Sequence, residues 1–88
     1  MNHQNTKSLL RRLRIIEGQI RGLQKLIASG AYCIDVITQT SAVRQALSRV
    51  EDILLEKHLS TCAVNQIKKG HEQKAVVEII KVYKLKRR

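Results

Sequence analysis

The feature that most constrains this chain is a repeat of aliphatic side chains at alternating steps of three and four residues. In the first third of the sequence, the repeat occupies Leu9, Leu13, Ile16, Ile20, Leu23 and Ile27. This spacing lines the side chains along one face of an amphipathic helix, as in helical bundles. We therefore predict a first helix over residues 6–28, capped by Asn5 or Thr6 and ended near Ser29 and Gly30.

A second repeat with the same spacing begins at Cys33. It continues through Val36, Thr40, Val43, Leu47, Val50 and Leu54, and steps of four extend it to His58 and Cys62. This pattern predicts a long second helix over roughly residues 33–65. Gly70 breaks the pattern, and a short third helix is expected to carry one apolar face formed by Val76, Ile79, Ile80 and Tyr83. The basic tail from Lys84 to Arg88 is expected to fray.

The composition agrees with an all-α fold. The 88 residues include no proline, tryptophan or phenylalanine, and aliphatic residues recur between Lys, Arg, Glu and Gln. The short connections favour an antiparallel αα-hairpin of the first two helices, and a chain of this length buries only a limited core alone. We predict a single domain over residues 1–88, with a three-helix protomer that pairs into an antiparallel four-helix-bundle dimer.

The charge of the chain indicates the kind of partner it binds. The formal net charge is +10 and the isoelectric point is near 10.2, which favours a polyanion, nucleic acid before an anionic membrane surface. No apolar run is long enough to span a bilayer, and the polar start lacks the apolar core of a signal peptide. We therefore predict a cytoplasmic protein with no membrane partner, whose two cysteines are ligands or sensors rather than a structural disulfide.

The residues Cys33, His58 and Cys62 suggest a metal site. His58 and Cys62 are four positions apart, so on a helix they share a face within about one turn. Cys33 lies upstream on the same predicted helix, and at about 1.5 Å per residue it would be about 37 Å from His58. One chain cannot assemble this site, but two antiparallel copies of the helix would bring Cys33 of one chain beside His58 and Cys62 of the other.

The donor set indicates which metal such a site prefers. Two thiolates and one imidazole suit three-coordinate Cu(I), whereas Zn(II) normally takes a fourth ligand and Ni(II) often a square-planar set. His3 or His71 could supply a fourth ligand, although each is also explained as an ordinary residue near a helix start. The alternative to a metal site is that both cysteines are small buried core residues and His58 a core histidine.

The segments RRLRIIEGQIRGL, AYCIDVITQTSAVRQAL and EKHLSTC resemble the CsoR/RcnR family of small all-helical bacterial repressors, and in particular its copper-sensing branch. The resemblance covers nearly the whole chain. It implies that Cys33, His58 and Cys62 are Cu(I) ligands from two protomers, with Tyr32 and Glu78 in the outer shell. It also implies a dimer-of-dimers tetramer that binds operator DNA without metal and releases it when Cu(I) binds.

Other branches of the family keep alternatives open at the ligand positions. Nickel and cobalt sensors use additional histidines, including one near the N-terminus, so His3 keeps a nickel-responsive repressor in consideration. Persulfide sensors keep both cysteines but generally lack the histidine, so a thiol-stress sensor based on Cys33 and Cys62 is a further alternative. Because His58 accompanies both thiols, the pattern favours copper.

A basic face away from the first apolar repeat is the candidate DNA-binding surface. It consists of Arg11, Arg12, Arg14, Arg21 and Lys25, and the second helix adds Arg44 and Arg49. Such side chains bind phosphates in a salt-dependent way. We expect Arg12, Arg14 and Arg49 to contact DNA, and the resemblance implicates Arg12 and Arg49 in particular.

Two other classes of function give different expectations for this chain, namely a structural nucleic-acid-binding factor and an enzyme. A structural nucleoid or RNA-binding factor would bind nucleic acid without regard to copper or sequence. We predict no enzymatic activity and no small-molecule substrate, because no nucleophile-base pair or paired carboxylates can be assembled from these residues.

Overall fold

A computed structural model describes the backbone of residues 3–87 and the side chains of residues 5–87. Across this range the chain has no strand, which confirms the all-α prediction. The elements are α1 (His3–Ala28), α2 (Cys33–His58), a π-helical turn (Leu59–Ala63), α3 (Val64–Lys68) and α4 (Glu72–Arg87). The predicted second helix thus consists of α2, the π turn and α3, followed by the predicted third helix, α4. None of the helices described here is both long and apolar enough to cross a membrane.

The two breaks between helices have the same geometry. Gly30 and Gly70 have φ values of 72° and 80°, the left-handed conformation that glycine adopts most easily. At the first break, the Gly30 N–H donates to the Ile27 carbonyl and the Ala31 N–H to the Leu26 carbonyl. At the second, Gly70 and His71 donate in the same way to Ile67 and Gln66. Both helices therefore end in a Schellman motif, as the glycine positions predicted.

The chain forms two compact units, an N-terminal unit that ends at Ile53 and a C-terminal unit that begins at Leu54. The N-terminal unit contains an aliphatic core of Leu9, Ile16, Val43 and Val50, each less than a tenth exposed. The four residues of the connection between α1 and α2 are too few for any but antiparallel neighbours, so the predicted αα-hairpin is confirmed. A single domain over residues 1–88 stays a prediction.

Only part of each apolar repeat is covered in the single chain. Leu13, Ile20 and Leu47 alternate with the core positions along the same repeats, yet about two fifths of each side chain is exposed. Since scattered exposed aliphatic residues are common but a regular row of them is not, this row is a candidate contact surface.

In the C-terminal unit, the described residues classed as buried are alanines. Ala63 and Ala75 are 3% and 1% exposed, and α3 packs against α4. The predicted apolar face of the third helix, from Val76 to Tyr83, lies on α4 but is exposed in this chain. Small side chains at the contact allow two helices to approach closely, but they bury little apolar area.

Two predictions about helix ends are wrong. Helix α1 begins at His3, so Asn5 and Thr6 lie within its first turn rather than at its cap. The basic tail is helical as far as Arg87, because a cation favours the negative end of a helix and the Arg87 guanidinium lies 5.4 Å from the Tyr83 ring centre. Arg88 lies outside the described residues.

The predicted second helix differs from expectation at one place, the π turn. The hydroxyls of Ser60 and Thr61 donate to the Lys57 carbonyl, at 3.2 and 2.7 Å. Hydroxyl side chains that bond to the preceding turn compete with the regular ladder of helical hydrogen bonds. The wider turn occurs where these two residues follow each other, and such turns are frequent at functional sites.

Candidate metal centre and nucleic-acid face

Cys33 is the first residue of α2, and its side chain is exposed. The preceding carbonyl, that of Tyr32, accepts hydrogen bonds from the N–H groups of Asp35 and Val36, at 3.0 and 3.2 Å. Tyr32 is therefore the N-cap of α2, and its phenol is 69% exposed. The helix start thus presents a free thiol to solvent beside an exposed aromatic ring.

His58 and Cys62 lie at the other end of the same helical segment. His58 is the last residue of α2, and Cys62 lies in the π turn with an exposed thiol. The Thr61 hydroxyl oxygen is 3.7 Å from the Cys62 sulfur. Because both cysteines are free and exposed, the alternative that they are buried core residues is wrong for the single chain.

The structure brings His58, an implied ligand, into contact with Glu78, which the resemblance places in the outer shell. The His58 Nε2 lies 3.4 Å from the Glu78 Oε2, and about a third of each side chain is exposed. A ligand histidine usually directs its second nitrogen to a carboxylate or carbonyl, which fixes the orientation of the ring. With Nε2 directed at Glu78, the Nδ1 of His58 is the nitrogen left for a metal ion.

The donors in this chain fit Cu(I), but they do not form a complete site by themselves. Two exposed thiols and one imidazole nitrogen make the soft donor set that Cu(I) prefers. Within the part of the chain that the structure describes, no three His, Cys, Asp or Glu side chains come together around a common point. The predicted site, in which a second chain supplies the remaining ligands, stays a prediction.

The role of His3 or His71 as a fourth ligand stays a prediction. His71 is exposed at the start of α4, where its carbonyl accepts the Ala75 N–H at 3.2 Å. The side chain of His3 lies outside the described residues. Tyr32 belongs to the N-terminal unit, and its part in an outer shell stays a prediction.

The predicted DNA-binding residues all lie in the N-terminal unit. Arg14 and Arg49 are exposed, whereas Arg12 is half-buried and its Nε is buried with no hydrogen-bond partner among the described residues. Arg21 forms an exposed ion pair with Glu17 at 3.6 Å, a contact of small energetic weight. The face is thus basic and accessible, as a phosphate-binding surface requires.

One polar residue of the C-terminal unit was not predicted from the sequence. Gln66 on α3 donates from its Nε2 to the Glu78 Oε2 at 3.4 Å. A lone glutamine between Asn65 and Ile67 gives no signal of its own. Its position four residues after Cys62 was the one available indication, since residues at that spacing lie on a common helix face.

Comparison with known proteins places this fold and these residues in a family. Residues 5–84 match the model of the metal-sensitive transcriptional repressors, which is nearly the whole chain. The chain belongs to this family. The family consists of transcriptional repressors rather than enzymes, which agrees with the prediction of no enzymatic activity, and DNA is the partner of such proteins.

Similar proteins carry a more specific description. The chain is 38% identical over 87 residues to the copper-sensing transcriptional repressor CsoR of Bacillus subtilis, covering 96% of this chain and 86% of that protein. It is 45% identical over 67 residues to the copper-sensing transcriptional repressor RicR of Mycobacterium tuberculosis, covering 76% of this chain and 70% of that one.

A solved structure agrees with the fold. The crystal structure of the copper-sensing repressor CsoR with Cu(I) from Geobacillus thermodenitrificans superimposes with a TM-score of 0.91 at 34% sequence identity. The match covers 100% of this chain and 92% of that one. The predicted resemblance to the copper-sensing branch is confirmed by these relatives.

Proposed function

We propose that this protein is a copper(I)-responsive repressor that binds operator DNA without metal and releases it when Cu(I) binds. The observation that carries the proposal is the arrangement at the end of α2. There, an exposed Cys62 follows a histidine whose Nε2 is directed at Glu78, so that a thiol and a ring nitrogen are both available to a soft cation. The copper-sensing relatives support the choice of metal.

The site needs two chains. Helix α2 begins at Cys33 and ends at His58, and a helix rises about 1.5 Å per residue, so its two ends are far apart in one chain. We propose an antiparallel dimer in which Cys33 of one chain joins His58 and Cys62 of the other, giving two equivalent sites. The exposed Leu13, Ile20 and Leu47 supply apolar surface for this pairing.

The DNA-binding form is proposed to be a tetramer of two such dimers in the cytoplasm. Each chain brings a net charge of +10, so a tetramer concentrates basic surface along a duplex. Arg12, Arg14 and Arg49 are the proposed contacts to operator DNA. The Arg12 Nε is buried with no hydrogen-bond partner among the described residues, whereas Arg14 and Arg49 are exposed.

The chain's own residues explain how filling the site can change DNA affinity. Cu(I) is a soft cation that would be held by two thiolate sulfurs and one imidazole nitrogen. His58 holds its ring in place through Glu78, and Glu78 belongs to α4. A displacement of the ring is therefore passed to α4 by a direct contact. The proposed coupling is a difference in DNA affinity between the two states of the site.

Titration of Cu(I) into the protein bound to a fluorescent promoter fragment, under anaerobic conditions, tests the proposal. We expect the DNA affinity to fall by about 5-fold to 150-fold, the usual range of coupling between two binding sites. Cys62→Ser should abolish the response, and equal concentrations of Zn(II) and Ni(II) serve as controls for the metal. An unchanged DNA affinity at saturating copper would contradict the proposal.

Mixing two defective chains tests whether the site is shared. A dimer of one Cys33→Ala chain and one His58→Ala chain retains one complete site if the ligands come from two protomers. We expect each variant alone to bind no Cu(I) at this site and the mixture to recover about half of the binding, reduced by the share of homodimers. No recovery on mixing would show that each chain builds its own site.

A thiol-stress sensor is the second candidate, favoured by the exposure of both thiols. In that case, a persulfide donor would transfer its outer sulfur to one of these cysteines and leave as a thiol. The other cysteine, from a second chain, would then displace hydrogen sulfide to form a Cys33–Cys62 disulfide and release DNA, while Cu(I) would bind weakly. Crosslinked dimers on a non-reducing gel, absent from both cysteine variants, would distinguish this function from copper sensing.

A further inference from the structure

Three side chains of the C-terminal unit meet at one oxygen atom. The Glu78 Oε2 is approached by the His58 Nε2 and by the Gln66 Nε2, each at 3.4 Å. His58 ends α2, Gln66 lies on α3 and Glu78 lies on α4. The carboxylate therefore links three helical elements, and the glutamine is the one of the three with no part in the proposed function.

The orientation of the Gln66 amide favours a hydrogen bond to Glu78 over satisfaction of its own oxygen. Its Nε2 donates to the carboxylate, while its Oε1 is buried and has no hydrogen-bond partner within the described residues. A buried acceptor without a partner is unfavourable. Rotation of the amide by half a turn would bring Oε1 against the carboxylate oxygen, where two acceptors repel each other. The amide thus keeps an unsatisfied acceptor in order to donate to Glu78.

Glu78 needs such a second donor if it is to hold His58. Its side chain is 37% exposed and has several rotatable bonds, so a single long contact with the imidazole leaves it free to adopt other rotamers. A donor fixed on α3 restricts these rotamers, because Gln66 is itself half-buried. The carboxylate is then held from two sides.

We propose that Gln66 is a positioning residue that holds Glu78 against His58 and so sets how strongly α4 responds to the ligand histidine. This inference rests on the proposed copper-dependent function. Gln66 donates to Glu78 and is not itself a proposed ligand, so its loss should change the coupling between metal and DNA more than the metal affinity. The same loss should also alter the orientation of His58 before any metal is added.

The variant Gln66→Met tests this, since methionine is similar in length but cannot donate. The first readout is the nitrogen NMR spectrum of the His58 ring in the full-length apo protein. With the ring neutral, we expect the wild type to carry its proton on Nε2, and Gln66→Met to show a mixture of the two tautomers. The second readout is the ratio of DNA affinities with and without Cu(I), which we expect to shrink by about twofold to threefold, because Gln66 acts through Glu78 and its hydrogen bond is long.

Two further variants serve as a matched control and as a rescue. Gln73→Met makes the same replacement at an exposed position of α4 and should match the wild type in both readouts. Gln66→Lys restores a donor toward Glu78 and should restore the wild-type tautomer. If Gln66→Met leaves the His58 spectrum and the affinity ratio unchanged, or if Gln66→Lys behaves like Gln66→Met, the inference is overturned.

The two proposals fail in different ways. The tautomer of His58 is measured without copper or DNA, so it tests Gln66 directly. A wild-type protein that keeps its DNA affinity in saturating Cu(I) would overturn the proposed function and leave the tautomer result standing. A copper-responsive wild type with an unaltered Gln66→Met variant would overturn only the role of Gln66.

Discussion

The two compact units of this chain differ in the contacts that stabilise each of them internally. The N-terminal unit buries Leu9, Ile16, Val43 and Val50 in one aliphatic cluster. In the C-terminal unit, the described residues below a tenth exposure are Ala63 and Ala75, and the contacts between its helices include the polar group around Glu78. A packed aliphatic core resists rearrangement, whereas alanine contacts and long polar contacts change at low cost.

This difference suits a protein that must bind DNA and respond to a ligand. The proposed DNA contacts and Cys33 lie in the unit with the aliphatic core, whereas His58, Cys62 and Glu78 lie in the unit whose buried described residues are alanines. Elements that move in a switch are generally drawn from the less stable part of a structure. Four comparisons between variants would break or sharpen the contrast, from the largest expected effect to the smallest.

The largest effect is expected in the core of the N-terminal unit. Ile16→Ala should lower the free energy of unfolding by about 2–5 kcal/mol, because it opens a cavity at a side chain only 4% exposed. The neighbouring Ile15→Ala, at a position 57% exposed, is the matched control and should cost about 0.5 kcal/mol or less. Urea denaturation at fixed protein concentration measures both, and equal losses would contradict the assigned core.

The next effect concerns the close contact in the C-terminal unit. Ala75→Leu should lower the free energy of unfolding by about 1–3 kcal/mol, because a position only 1% exposed has no room for three more carbons. Val77→Leu, on the exposed side of α4, should be nearly neutral. Amide hydrogen exchange would locate the change, and a loss of protection confined to the N-terminal unit would show that the two units are not independent.

A smaller effect is expected from a change at Glu78, the carboxylate that His58 and Gln66 both contact. Glu78→Gln keeps the shape of the side chain but removes the charge that faces His58, at a site where both partners are partly exposed. The change should reduce the ratio of DNA affinities with and without Cu(I) by about threefold to fivefold, corresponding to about 1 kcal/mol. Glu56→Gln, at an exposed position of α2, is the control and should leave that ratio unchanged.

The smallest effect distinguishes two glycines of the N-terminal unit. A Cβ at Gly22 would meet nothing within 4 Å, so Gly22→Ala should stabilise α1 by about 0.5–1 kcal/mol. Gly30→Ala should instead destabilise by about 1 kcal/mol, because its φ of 72° is left-handed. Thermal unfolding compares the two, and an equal shift of both midpoints would contradict the helix end assigned to Gly30.

The sequence predicted those features that depend on local pattern. The alternating spacing predicted α1, the short connection predicted the hairpin, and Gly30 and Gly70 predicted the helix ends, because all of these are properties of short segments. The cap at Asn5 or Thr6 and the frayed tail were wrong, since helix ends depend on weak and competing contacts. The π turn was missed because a count of apolar spacings does not detect it. Two hydroxyls bond to the Lys57 carbonyl there, but Thr38 and Thr40 bond in the same way within the regular helix α2.

The candidate site was predicted only in part. Spacing and donor chemistry selected Cys33, His58 and Cys62, and their joint role stays a prediction. The contact between His58 and Glu78 is present in the structure, although its two residues are twenty positions apart and no periodicity relates them. Glu78 was expected from the resemblance alone. Gln66, to which the resemblance gave no role, was missed because contacts between separate helices depend on how the helices pack.

The π turn also limits how the sequence of this protein can vary in length. Each residue of an α-helix advances the chain by about 100° around the axis, so deleting one residue from the turn would rotate everything after it by that angle. His58 precedes the turn, whereas Gln66 and Glu78 follow it, so the imidazole would no longer face the Glu78 carboxylate, although every residue of the polar group would still be encoded. Deleting one residue between Leu59 and Ala63 would therefore be more damaging than most substitutions there. Homologous chains should conserve the length of this segment more strictly than its composition.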